Sequence, residues 1–153
     1  MSSPSLRILL VARDRSLLRR LSRLLGEFGY RAESAASTGA VLAVLRRDPP
    51  DVLIVDAGED HPGWPEICQA AAEPADRVAP FTVLLVDEPD TAQLVAALEQ
   101  GADDFLLKPV VHGELLSRLR HGARLLEFER RRRRREPADA FTGLSGRASL
   151  ELR

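Results

Sequence analysis

Two ionisable residues close otherwise apolar runs: Asp56 ends DVLIVD and Lys108 ends DFLLK, with Pro109 directly after it. A lone aspartate in such a place commonly caps a strand or a turn. Lys108 raises its interest, because an ammonium beside a carboxylate lowers the carboxylate's pKa and keeps it anionic. The same ammonium can neutralise a phosphoryl group carried by that carboxylate. Pro109 restricts Lys108 to an extended conformation and brings no backbone donor, so the amine leaves its run at a fixed place. A third polar end, Arg13-Asp14, follows the apolar run of residues 6–11. His61, His112 and His121 have no partner His or Cys at metal-ligand spacing and read as solvated loop residues.

The elements that must position these groups follow from apolar periodicity. Residues 6–11, 51–55, 81–86 and 104–107 are short runs rich in Val, Leu, Ile and Phe, as strands covered on both faces require. Arg31–Ser34 is a weaker second strand. Leu17, Leu18, Leu21, Leu24, Leu25 and Phe28 recur at helical spacing before Gly29. Val41, Leu42, Val44 and Leu45 do so before Pro49-Pro50, and Leu94, Val95, Ala97 and Leu98 before Gly101. Residues 66–72 form the least regular helix, and a last one begins around Leu115, Leu116 and Leu119 and extends toward Arg135. Strict alternation predicts an α/β fold: a doubly wound, five-stranded parallel sheet with helices on both faces and right-handed crossovers. Ligands of such sheets lie beyond the carboxyl ends of the strands. Ala12, Arg13, Asp14, Asp56, Val86, Asp87 and Lys108 are therefore expected to converge in one cleft.

The chain of 153 residues has room for one domain with an appendage. Its single cysteine, Cys68, excludes an internal disulfide, and neither a signal core nor a membrane-length apolar run is present, so a cytoplasmic setting is expected. Charge is unevenly placed. Removing the six positive charges of Arg130–Arg135 from a formal net charge of −1 leaves −7 for the rest. The run has no aromatic interleaving, so a solvated helix extension explains it better than nucleic-acid or membrane-surface binding, which stays the second alternative. Leu119, Ala123 and Leu126 have the spacing to open a short parallel coiled coil ahead of it. No GxGxxG or GxxxxGK[ST] stretch occurs, which disfavours a nucleotide enzyme.

With these elements laid out, RILLVARD, EFGYRAESAAS, PDVLIVD, TVLLV, GADDFLLKP and GELLSRL together resemble the receiver domains of two-component response regulators, over about residues 6–127. The resemblance implies the flavodoxin-like fold inferred above. It places Asp56 at the phosphoacceptor of a phosphorelay, Lys108 at the invariant lysine and Phe105 at the aromatic switch position. It also implies a histidine kinase as possible partner and a homodimer through the fourth helix, fifth strand and fifth helix, where Asp103 or Asp104 and Arg118 match intersubunit ion-pair positions. Leu94 departs from the basic residue of that branch.

Other departures fall on the chemistry. The family ends its first strand with two carboxylates that hold magnesium; Ala12 and Arg13 stand there, and Asp14 comes one residue late. Magnesium requires oxygen donors in octahedral array, so no cofactor is expected, with Mg2+ weak at best on Asp14 and Asp56. Val86 replaces the hydroxyl that bonds the phosphoryl group, and the loop AGEDHPGWPE reshapes the segment in which Gly58 offers a carbonyl. Arg13 is expected to pair with Asp56 in place of the missing cation. The resulting expectation is a degenerate receiver at residues 1–127, acting as a regulatory module, an Arg-rich helical linker at 128–136, and a tail or start of an output domain at 137–153. Asp139, Thr142, Gly143, Leu144 and Arg147 of that tail resemble the opening of a diguanylate cyclase (GGDEF) domain without its catalytic loop, so no enzyme is expected in this chain. An active receiver phosphorylated on Asp56 is the first alternative.

Overall fold

The computed structural model describes residues 6–58, 63–73, 77–87 and 91–135. His61 and the cyclase-like stretch from Asp139 to Arg147 lie outside the described residues. Among the described residues five strands alternate with five helices: β1 (Arg7–Val11), α1 (Arg15–Glu27), β2 (Arg31–Ala35), α2 (Thr38–Arg47), β3 (Val52–Asp56), α3 (Trp64–Ala72), β4 (Phe81–Val86), α4 (Thr91–Glu99), β5 (Asp104–Leu107) and α5 (His112–Arg135). The strands form one parallel sheet in the order β2-β1-β3-β4-β5, as the alternation predicts.

Side chains alternate across a strand, and here each set meets its own helical layer. Ile8, Leu10, Val52, Ile54, Val83, Leu85 and Leu106 pack with the apolar stripes of α1 and α5. Leu9, Val11, Leu53, Val55, Leu84 and Val86 face α2, α3 and α4. Apolar runs without polar alternation in β3 and β4 are thus explained by burial on both faces. Side-chain caps start two of the helices: Asp14 Oδ1 accepts from Ser16 N at 2.9 Å and Leu17 N at 3.2 Å, and Ser37 Oγ accepts from Ala40 N at 3.1 Å.

Several expectations are corrected. Phe28, expected on the buried stripe of the first helix, is its exposed C-cap, because the helix ends at Glu27 and Gly29 turns the chain at φ +86°. Trp64, expected in a loop, opens α3 and packs against the α2–α4 layer. His112 and His121 lie in α5, and the His121 ring meets Phe81 edge to face at 6.1 Å. Leu119 and Leu126 are buried in the domain's own core, so they are not free to form a coiled-coil seam.

The end of α5 is tied to the opposite end of the sheet from Asp56. Arg130 Nη2 meets Asp51 Oδ1 at 2.5 Å, just before β3, and Asp51 Oδ2 accepts from Arg7 N at 2.8 Å. Arg131 and Arg132 pair along the helix with Glu127 and Glu129. None of the helices among the described residues is long and apolar enough to cross a membrane.

Candidate functional site at the carboxyl ends of the strands

Alternation along the strands decides what the cleft contains. Ala12 continues the row Ile8–Leu10, Asp56 the row Val52–Ile54, Asp87 the row Val83–Leu85, and Lys108 follows Leu106 at the same spacing. Four strand ends thus deliver a methyl group, two carboxylates and an ammonium to one side of the sheet. Lys108 is held at its end by its own amide, which donates to Val86 O at 2.7 Å. The Lys108-Pro109 peptide is cis.

Lys108 Nζ donates to Asp56 Oδ1 at 2.7 Å and lies 3.2 Å from Asp87 Oδ1. Asp56 is 5% exposed, and Gly58 N donates to the same Oδ1 at 3.0 Å. A buried carboxylate therefore has both a cation and a backbone donor. Burial alone would ease the proton off Lys108, but the hydrogen bonds to Asp56 and Asp87 outweigh it and hold the ammonium's pKa above the ordinary 10.5. The Asp56–Lys108 convergence expected from the sequence is present. The part taken by Asp87 was not assigned from the sequence, although its spacing from Val83 and Leu85 carried the signal.

The remaining residues fall differently. Ala12 is buried and presents only its methyl group. Arg13 takes the alternate position, is exposed, and makes no ion pair with Asp56; among the described residues Lys108 is the cation on that carboxylate. The expected Arg13–Asp56 pair is thus corrected, since the row that reaches Asp56 is the one Ala12 occupies. Asp14 turns to cap α1. Among the described residues no three His, Cys, Asp or Glu side chains are grouped to hold a metal ion.

Val86 is buried on the other side of the sheet, in the cluster against which half-buried Phe105 packs. Asp104 Oδ2 and Arg118 Nε, expected to pair across subunits, meet at 2.8 Å within the chain. Asp103 Oδ2 accepts from Thr82 N at 2.7 Å.

A doubly wound parallel sheet with a buried aspartate and a lysine at the carboxyl ends of its strands is the arrangement that the receiver resemblance implies. The family model of the response regulator receiver domain matches residues 8–120, and the chain belongs to that family. Response regulator MprA of Mycobacterium bovis (strain BCG / Pasteur 1173P2) is 34% identical over 145 residues, covering 95% of this chain and 58% of that protein. MprA of Mycobacterium leprae (strain TN) is 36% identical over 115 residues, covering 75% and 50%. The chain thus spans about half the length of the curated relatives it matches. Among solved structures, the CheY-like response regulator receiver domain protein from Methanospirillum hungatei JF-1 aligns with a TM-score of 0.72 at 25% identity, over 82% of this chain and 98% of that one. The signal receiver domain of a signal transduction histidine kinase from Syntrophus aciditrophicus aligns with a TM-score of 0.67 at 29% identity, over 80% and 91%.

Proposed function

We propose that this chain is an atypical receiver module of a cytoplasmic signalling protein, one that regulates an attached output and pairs with a second copy largely without magnesium-dependent phosphorylation. The observation that carries this reading is the end of β1. Where two metal-binding carboxylates are needed, the chain delivers a buried methyl at Ala12, an outward Arg13 and an Asp14 engaged as a helix cap. Phosphoryl transfer to a carboxylate concentrates negative charge that magnesium ordinarily offsets, and here, among the described residues, Lys108 is the cation paired with Asp56. Val86 offers no hydroxyl to hold a product. The resemblance of residues 139–147 to the opening of a diguanylate cyclase supports an output of that kind, joined through α5.

The 2.7 Å contact between Lys108 and Asp56 favours a second reading, an active receiver that takes a phosphoryl group on Asp56 from a histidine kinase. Trp64 separates the two, because it packs, as Phe105 does, against the cluster that contains Val86. Its fluorescence would be followed while magnesium and then beryllofluoride are added, with Asp56→Asn as control and intact mass read after a small phosphodonor. No saturable change and no adduct is the expected result. A response requiring both ligands and Asp56 would establish the active receiver instead.

A further inference from the structure

The cleft holds a second carboxylate whose placement is more specific than chance solvent exposure requires. Asp87 shares Lys108 with Asp56, at 3.2 Å against 2.7 Å. A Cβ placed on Gly58 would lie 2.8 Å from Asp87 Oδ2, 3.2 Å from Asp56 Oδ1 and 3.3 Å from Lys108 Nζ. The space above Gly58 is therefore bounded by both carboxylates and the ammonium together. The Asp56 side chain is 6% exposed and that of Asp87 60%, so Asp87 stands on the solvent side of the pair. An anion approaching Lys108 from water meets the Asp87 carboxylate at the ammonium it seeks.

We infer that Asp87 is a resident anion of this cleft: it occupies the anion position beside Lys108 and thereby excludes phosphate-class dianions from the Asp56–Lys108 pair. Charge and geometry both contribute. The Lys108 ammonium is already matched by two negative groups, so a further dianion beside it adds repulsion. Of Lys108's three hydrogens one is donated to Asp56, and Asp87 Oδ1 stands 3.2 Å from the same nitrogen, so an incoming oxygen competes with a tethered carboxylate. Asp87 is thus a specificity-determining, positioning residue. The inference rests on the reading of a module that works without phosphorylation, and it names the residue that keeps the site closed to phosphate.

The test uses the chain as it stands, with Asp87→Asn, which keeps the shape, and Asp87→Ala, which also opens space. Inorganic phosphate is titrated while the Gly58 amide and the Lys108 ammonium are followed by NMR, with Lys108→Gln added to each variant as control. Expected is a saturable shift in both variants, about tenfold or more tighter than in the native chain, and lost with Lys108→Gln. Equal phosphate affinity in native and variant chains, or no binding in any of them, would overturn the role of Asp87. A parallel arm reads intact mass after magnesium and a small phosphodonor. An adduct on native Asp56 would overturn the phosphorylation-independent reading, whereas an adduct confined to the Asp87 variants supports exclusion by Asp87.

Discussion

Lys108 bridges a buried carboxylate and an exposed one, and the consequence is a titration at the alkaline end of the pH scale. Its folded pKa lies above the ordinary 10.5; the stability it contributes is therefore fully present below the unfolded value and lost as pH rises through the folded one. Lys108→Met removes that contribution and leaves Asp56 buried without its cation, at a cost of roughly 3 kcal/mol, the low end for a broken buried pair because Lys108 keeps some water. Urea midpoints measured against pH should show a constant gap between native and variant at neutral and mildly alkaline pH, closing above 10.5. A gap independent of pH would mean that packing of the lysine stem, not its charge, is what matters. Asp56 and Lys108 were legible in the sequence because each interrupts an apolar run where a parallel sheet opens its ligand cleft. Arg13 was misplaced for a physical reason: a one-residue step along a strand changes the face, and Ala12 holds the position that faces Asp56.

Helix α5 packs so closely on the sheet that its composition is constrained at a residue where helix propensity argues the other way. A Cβ at Gly122 would lie 2.5 Å from Cδ2 of Phe81, in a ring that also meets His121. Gly122→Ala gains about 1 kcal/mol of helix propensity, but displacing a buried ring costs about 1–3 kcal/mol. The expected outcome is no gain or a net loss of stability by thermal melting, and a clear gain would show that Phe81 moves aside freely. Further along, the Arg130–Asp51 contact fastens the arginine run to the amino end of β3. Arg130→Ala should cost no more than about 1 kcal/mol, as an accessible ion pair. Asp51→Ala should cost about 2 kcal/mol, since it also removes the carboxylate that accepts from Arg7 N. Amide exchange should accelerate in α5 from residue 130 onward in both variants, and unchanged exchange would mean that the helix end is held by its own propensity. The order of strands and helices was readable because apolar periodicity reports burial directly. The fate of Leu119 and Leu126 was not, because a heptad-like spacing is satisfied equally by a neighbouring helix or by the sheet beneath.

At the scale of the whole molecule the two ends of the sheet are chemically distinct, with the Asp56 cleft at the carboxyl ends and the α5 latch at the amino ends. Between them α4, β5 and the residue just before α5 expose Val95, Leu98, Leu107 and Val111, all large apolar side chains. Asp104 and Arg118, beside this surface, are already paired within the chain, so charge complementarity across a dimer is weaker than matching positions in the sequence imply. In the proposed pairing of two copies, apolar contact must then supply the association. Completing the burial of a half-exposed aliphatic side chain yields about half of the roughly 1.5–3 kcal/mol for full burial, while association costs at least about 4 kcal/mol in lost freedom. Four such residues from each partner yield a gain of the same order as that cost, which is the regime of a weak, reversible dimer. Sedimentation of the native chain should therefore show a concentration-dependent monomer–dimer equilibrium, and Val95→Glu with Leu98→Glu should abolish it without changing the far-UV circular dichroism. If the double variant dimerises as the native chain does, the contact lies elsewhere, and the exposed Leu125 and Phe128 on the later turns of α5 become the surface to alter. A native chain that stays monomeric at every concentration would instead rule out pairing of two copies as the proposed mode of regulation.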